Sequence, residues 1–249
     1  DFASALAEAQ RLGYAEADPS DDVNGRDAAA KMAIIARLAF ETPVHIDQVR
    51  YEGIEAILPD DLEYARDLGL GLKLIGTAER VGEDGISVRV YPAFLYPGHP
   101  LASVGGPFNA VTVESEEITE ITMSGPGAGG PQTASAVLGD VISAMIPPAS
   151  TPPATERLQI VTDVASSFYL YLEVADELGV LAAVAEVLAL QGVSVKSVVQ
   201  KGLRDQARLV MVVHPVLESR FGVAMNLIAG LDVMRAPPRA IRVIEEEFG

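Results

Sequence analysis

The stretch YAEADPSDDVNGRDAAAK, residues 14–31, holds five acidic side chains and one lysine. Glu16, Asp18, Asp21, Asp22 and Asp27 precede Lys31, which follows three alanines. Carboxylates gathered near an ammonium group can bind a substrate amine, since charge-assisted hydrogen bonds are the strong ones. A lysine in such surroundings can give or take a proton, or steady the charge that develops on an alkoxide. The spacing from residue 26 to residue 40 predicts a helix, with Pro43 blocking its continuation. At 100° per residue, Asp27, Lys31, Ile34 and Leu38 fall on one stripe, and Ala29, Ala33, Ala36 and Phe40 on the far side. So apolar a helix is expected to be buried all round, with Lys31 facing a cleft. Two plainer readings stand beside this one. Asn24 and Asp27 fit an N-terminal capping arrangement, and Asp27 with Lys31 fits an ordinary i,i+4 surface ion pair.

The elements that must position these residues divide at MIPPASTPPATE, residues 145–156, whose four prolines predict an extended linker. Before it, helices over 1–12 and 60–69 are expected, then a hairpin through the turn GEDG, two further strands, a glycine loop and the helix TASAVLGDVISAM. Strands grouped between helices predict an α+β fold rather than alternating β/α units. After the linker the predicted order is β-α-β-β-α-β, the ferredoxin-like split motif.

A formal net charge of −17 argues against a nucleic-acid partner, which needs Lys and Arg to neutralise phosphates. The absence of cysteine excludes a thiol nucleophile, a disulfide framework and a cysteine-held metal. His45, His99 and His214 lack metal-ligand spacing. No apolar run reaches the ~18 residues of a membrane span, so no membrane partner is expected. The chain opens at Asp1 inside a helical pattern, which reads as the start of a fragment.

Residues Gly13 to Lys31 meet, without a gap, the pattern G-Y-x-E-x-D-P-x-x-D-x-x-G-x-D-x-x-x-K, and so resemble homoserine dehydrogenases. The similarity continues through HPLASVGGPFNAV and GPGAGGPQTASAVLGDVI. The resemblance implies NADP- or NAD-dependent interconversion of L-homoserine and L-aspartate 4-semialdehyde, serving threonine, methionine and isoleucine synthesis in the cytoplasm. It implies Lys31 as the catalytic proton donor, with Glu16, Asp27 and Asp22 at the amino-acid substrate and Gly13 and Gly129 at the cofactor. It also implies an N-terminal dinucleotide-binding domain, a second functional lysine and a monovalent-cation loop upstream of this segment, so this chain alone is expected to be inactive. The loop GPGAGG fits G-x-G-x-x-G, but no second strand with an acidic residue follows, which excludes a Rossmann unit starting there.

ADELGVLAAVAEVLALQGVSVKSVVQKG resembles the ACT regulatory module. That implies an effector site at Asp176, Gly179 and Val180, L-threonine as effector, and assembly as a homodimer or homotetramer. The organisation expected is a homoserine dehydrogenase-type catalytic domain with a mixed sheet over 1–146, a linker over 147–156 and a ferredoxin-like ACT domain over 157–249. The alternative is a non-catalytic amino-acid-binding regulatory or structural fragment.

Overall fold

The computed structural model describes residues 2–15, 17–127, 129–146, 157–201 and 207–244. The proline-rich segment 147–156 lies outside them. Seven α-helices and ten strands form a mixed α+β fold among the described residues.

Strand β3 (Gly85–Leu95) is buried along its whole length and organises the main sheet. Strand β2 (Gly71–Val81) pairs with it antiparallel from end to end, as the hairpin pattern predicts. The other edge of β3 is shared by three short parallel segments: β6 (Gln159–Ile160) at residues 85–86, β1 (Arg50–Tyr51) at 89–90 and β10 (Arg239–Ile244) at 93–95. Strand β10 is also the edge of the second half of the chain. There β7 (Ala165–Glu173), β9 (Arg208–Leu217) and β8 (Val195–Lys201) follow in the order β10-β7-β9-β8, all antiparallel. The two halves therefore share one eight-stranded sheet. The first half also carries a separate ribbon of β4 (Phe108–Ser115) and β5 (Thr119–Pro126).

Alternation along the strands sends successive side chains to opposite faces. On one face Ile86, Val88 and Val90 pack against Ala29, Ala33 and Ala36 of α3 (Arg26–Phe40). On that same face Phe94, Tyr169, Tyr171 and Ile241 pack against Tyr64 and Ala65 of α4 (Pro59–Asp67). On the other face Phe168, Leu170 and Leu172 pack against α6 (Val180–Leu190) and α7 (Glu218–Ala229), with Leu188, Phe221 and Ile228 fully or nearly buried. Phe168 and Phe221 stack face to face with centroids 3.7 Å apart.

Charged groups brace strand β10 on both faces. Arg239 donates to both Asp61 oxygens, at 3.0 and 2.9 Å, and so ties the strand to α4. On the opposite face Arg242 donates to Glu218 through Nε and Nη2, at 2.7 and 2.8 Å. Arg242 also forks onto Glu52 with two bonds of 2.9 Å. Glu218 further accepts from Arg89 at 2.9 Å and from Ser166 at 3.1 Å. The side chains of Glu218, Arg89 and Arg242 are 4, 4 and 9% exposed, so each of these charges must be paired to be tolerated. Burial alone would raise the Glu218 carboxyl, but Arg242, Arg89 and Ser166 outweigh it and hold the group below the usual carboxylate range.

Candidate active site

Helix α3 covers residues 26–40, as its spacing predicts, but it is not buried all round as expected. Only its alanine face is buried; Ile34 and Leu38 are 62 and 76% exposed. Alanines at 29, 33 and 36 let the helix lie close to the sheet, where Met32 fills the space above Gly76. The stripe with Asp27 and Lys31 consequently points away from the sheet. Lys31 Nζ donates to Asp27 Oδ2 at 2.5 Å, and their side chains are 60 and 41% exposed. The expectation of a lysine enclosed within this chain is thus corrected. A helix that is apolar nearly all round reads as buried in a linear sequence, but small residues alone suffice to seat this one.

The entry to α3 is built by glycine rather than by the expected Asn24 cap. Gly25 is the N-cap, with φ +86°, a left-handed conformation that favours glycine. Asn24 instead accepts from the Arg26 N–H at 2.9 Å through its side-chain oxygen. Asp27 lies in the first helical turn, where a negative charge complements the helix dipole. Just upstream, the short helix α2 (Ser20–Val23) carries Asp22, which is exposed. Asp22, Asp27 and Lys31 are therefore gathered on two helices meeting at Gly25. Glu16 lies outside the described residues.

Gly13 ends the first helix, α1 (Phe2–Arg11), with φ +76° and open space where a side chain would stand. Gly129 is the N-cap of α5 (Gly130–Ala144); the Gln132 side chain lies against it, while Gly125 and Gly130 have open space around them. The Gly13 turn thus offers bare main chain, and the Gly129 loop leads into a helix N-terminus, a setting that suits an anionic group. No main-chain hydrogen bond among the described residues links the two loops. Asp176 and Gly179 are exposed in the turn before α6, on the face of the sheet opposite α3. Val180 is different: its side chain is 6% exposed and belongs to the core, so only its main chain can meet a ligand there.

Two shallow grooves occur away from these residues. One, of about 470 Å³, is lined by Arg50, Asp163, Glu218 and Ser219, and the other, of about 380 Å³, by Gly71, Gly98, His99 and Ser103. His99 accepts the Leu101 N–H at 3.1 Å through Nδ1, and burial lowers its pKa, so it stays neutral and shapes the turn. Sequence reasoning missed Glu52 and Gly53, which buttress Gly25 from behind: a side chain on Gly25 would stand 2.8 Å from the Glu52 carbonyl oxygen. Two adjacent glycine-bearing turns, at 25 and 53, were the available signal.

The family model for homoserine dehydrogenase matches residues 1–142. Homoserine dehydrogenase of Corynebacterium glutamicum is 41% identical over 254 residues, spanning 98% of this chain and 57% of the relative. The enzyme of Bacillus subtilis is 36% identical over 253 residues, spanning 97% of this chain and 58% of the relative. The crystal structure of a homoserine dehydrogenase from Thiobacillus denitrificans superposes with a TM-score of 0.87 at 34% identity, covering 98% of this chain and 58% of that one. The Staphylococcus aureus enzyme at pH 7.5 gives 0.72 at 28% identity, with the same coverage. The chain thus spans a little under three fifths of the length of these relatives. With the family model matched over residues 1–142 and the fold shared along nearly the whole chain, the chain belongs to the homoserine dehydrogenase family.

Proposed function

We propose that this chain forms the amino-acid-binding and regulatory part of a homoserine dehydrogenase that interconverts L-homoserine and L-aspartate 4-semialdehyde. The observation that carries the reading is the Lys31–Asp27 pair, set 2.5 Å apart at the glycine-built start of α3. When bound, NADP or NAD supplies or accepts the hydride. In the reducing direction Lys31 gives its proton to the aldehyde oxygen as the alcohol forms; in the oxidising direction it takes the hydroxyl proton. Asp27 orients the lysine and, with Glu16 and Asp22, holds the substrate ammonium. The open main chain at Gly13, and the place of Gly129 at the N-terminus of α5, support their assignment to the cofactor. On this reading residues 1–146 are catalytic and 147–156 link them to an ACT domain at 157–249. Support for the ACT domain comes from the β-α-β-β-α-β order and the exposed turn at Asp176 and Gly179. L-Threonine is the effector proposed for that turn, in an oligomeric, cytoplasmic enzyme.

The experiment is steady-state turnover of the natural protein carrying Lys31→Ala. Loss of a group acting in proton transfer lowers turnover by roughly 10²–10⁴. Unchanged turnover assigns the pair to the ordinary surface ion pair that its exposure also permits.

A further inference from the structure

The junction that carries Asp22, Asp27 and Lys31 is held from outside its own helices. Ile54 donates its main-chain N–H to the Val23 carbonyl at 2.9 Å, and Glu52 donates to the Val90 carbonyl at 2.9 Å. Between these bonds, the main chain of Glu52 and Gly53 lies directly against that of Val23, Asn24 and Gly25. A side chain on Gly25 would meet the Glu52 carbonyl at 2.8 Å, and one on Gly53 would overlap Val23 and stand 2.6 Å from the Asn24 Cα. Two backbones packed this tightly move together. Any shift of Glu52 is passed to Gly25, and Asp27 is two residues further on.

The Glu52 side chain, in turn, is held by the second half of the chain. Arg242 of β10 grips it with two bonds of 2.9 Å, across 190 positions of sequence. The same guanidinium is anchored on buried Glu218 at 2.7 and 2.8 Å. A planar fork onto a carboxylate fixes direction as well as distance. Glu52 faces α7 with its side chain and Gly25 with its carbonyl, so it spans the sheet at the end of β1. We propose that Glu52 is a positioning residue for the amino-acid site, setting the junction of α2 and α3 while Arg242 of the second half holds it in place. The inference rests on the functional reading above only for what the junction binds.

Hydrogen exchange of this chain tests it without any turnover. Glu52 is 44% exposed, so Glu52→Gln removes the charge without opening the core. Amides of residues 20–30 should exchange about tenfold faster, a local opening. Arg239→Gln, which breaks the other brace of β10, should leave them within about twofold of the wild type. In the natural enzyme Glu52→Gln should raise KM for homoserine about three- to tenfold with kcat within about twofold, the mark of lost ground-state binding. Wild-type exchange over residues 20–30 in Glu52→Gln, or equal acceleration by Arg239→Gln, overturns the inference. A wild-type enzyme that does not turn over homoserine overturns the functional reading instead and leaves the exchange result standing.

Discussion

Replacing Glu218 with glutamine tests whether buried charge ties the two halves together. The carboxylate accepts from Arg89, Ser166 and both Nε and Nη2 of Arg242, all within 3.1 Å. Glutamine keeps the shape but turns one acceptor into an NH₂ donor facing a guanidinium. Two buried cations then lose their shared counter-charge. Removing one partner of a buried pair costs about 3–5 kcal/mol. Arg89 retains Glu79 and Arg242 retains Glu52, both partly exposed carboxylates, which places the loss at the lower end, about 3 kcal/mol. For a chain of this size that is a drop in Tm of about 6–12 °C. Urea unfolding at pH 7 should show the lower midpoint with an unchanged slope. The pH dependence has a definite sign. A carboxyl whose folded pKa is depressed contributes stability above its unfolded value, about 4.3, and loses it as pH falls through the folded value. The gap between wild type and Glu218→Gln should hold from pH 8 to about pH 5 and narrow in stronger acid. A variant within about 1 kcal/mol of wild type at pH 7, or a gap that does not narrow, refutes the reasoning.

Gly25→Ala combines an unfavourable φ with a side chain 2.8 Å from the Glu52 carbonyl, and in urea unfolding should cost about 1–3 kcal/mol more than a left-handed glycine in open space. Gly13→Ala meets nothing within 4 Å and should cost only the about 1–2 kcal/mol of its left-handed backbone; equal or reversed losses would contradict the contact. If threonine binds at the turn before α6, Asp176→Ala should weaken it by the about 1.5–3 kcal/mol of a charged hydrogen bond, read by calorimetric titration. No heat from the wild type at millimolar threonine would remove the effector site from this turn.

Much of the local structure was legible in the chain. The 26–40 helix, the β2–β3 hairpin and the β-α-β-β-α-β order follow from periodicity and from glycine and proline punctuation, which depend on near neighbours alone. The Gly13–Lys31 pattern likewise brought Asp22, Asp27 and Lys31 to attention, because its spacings are carried whole in one stretch. Burial was not legible in the same way. Ile34 and Leu38 outrank alanine in hydrophobicity, yet the alanine stripe is buried, because closeness of approach to the sheet decides which face fits. The union of the halves was invisible too. RAIRVI reads as a short strand, and nothing local selects β3 as its neighbour. That choice is made where Arg239 meets Asp61, and Arg242 meets Glu52 and Glu218, partners scattered over most of the chain. Pairing between charges so far apart in sequence has no periodicity to read; only the folded sheet brings them within hydrogen-bonding distance.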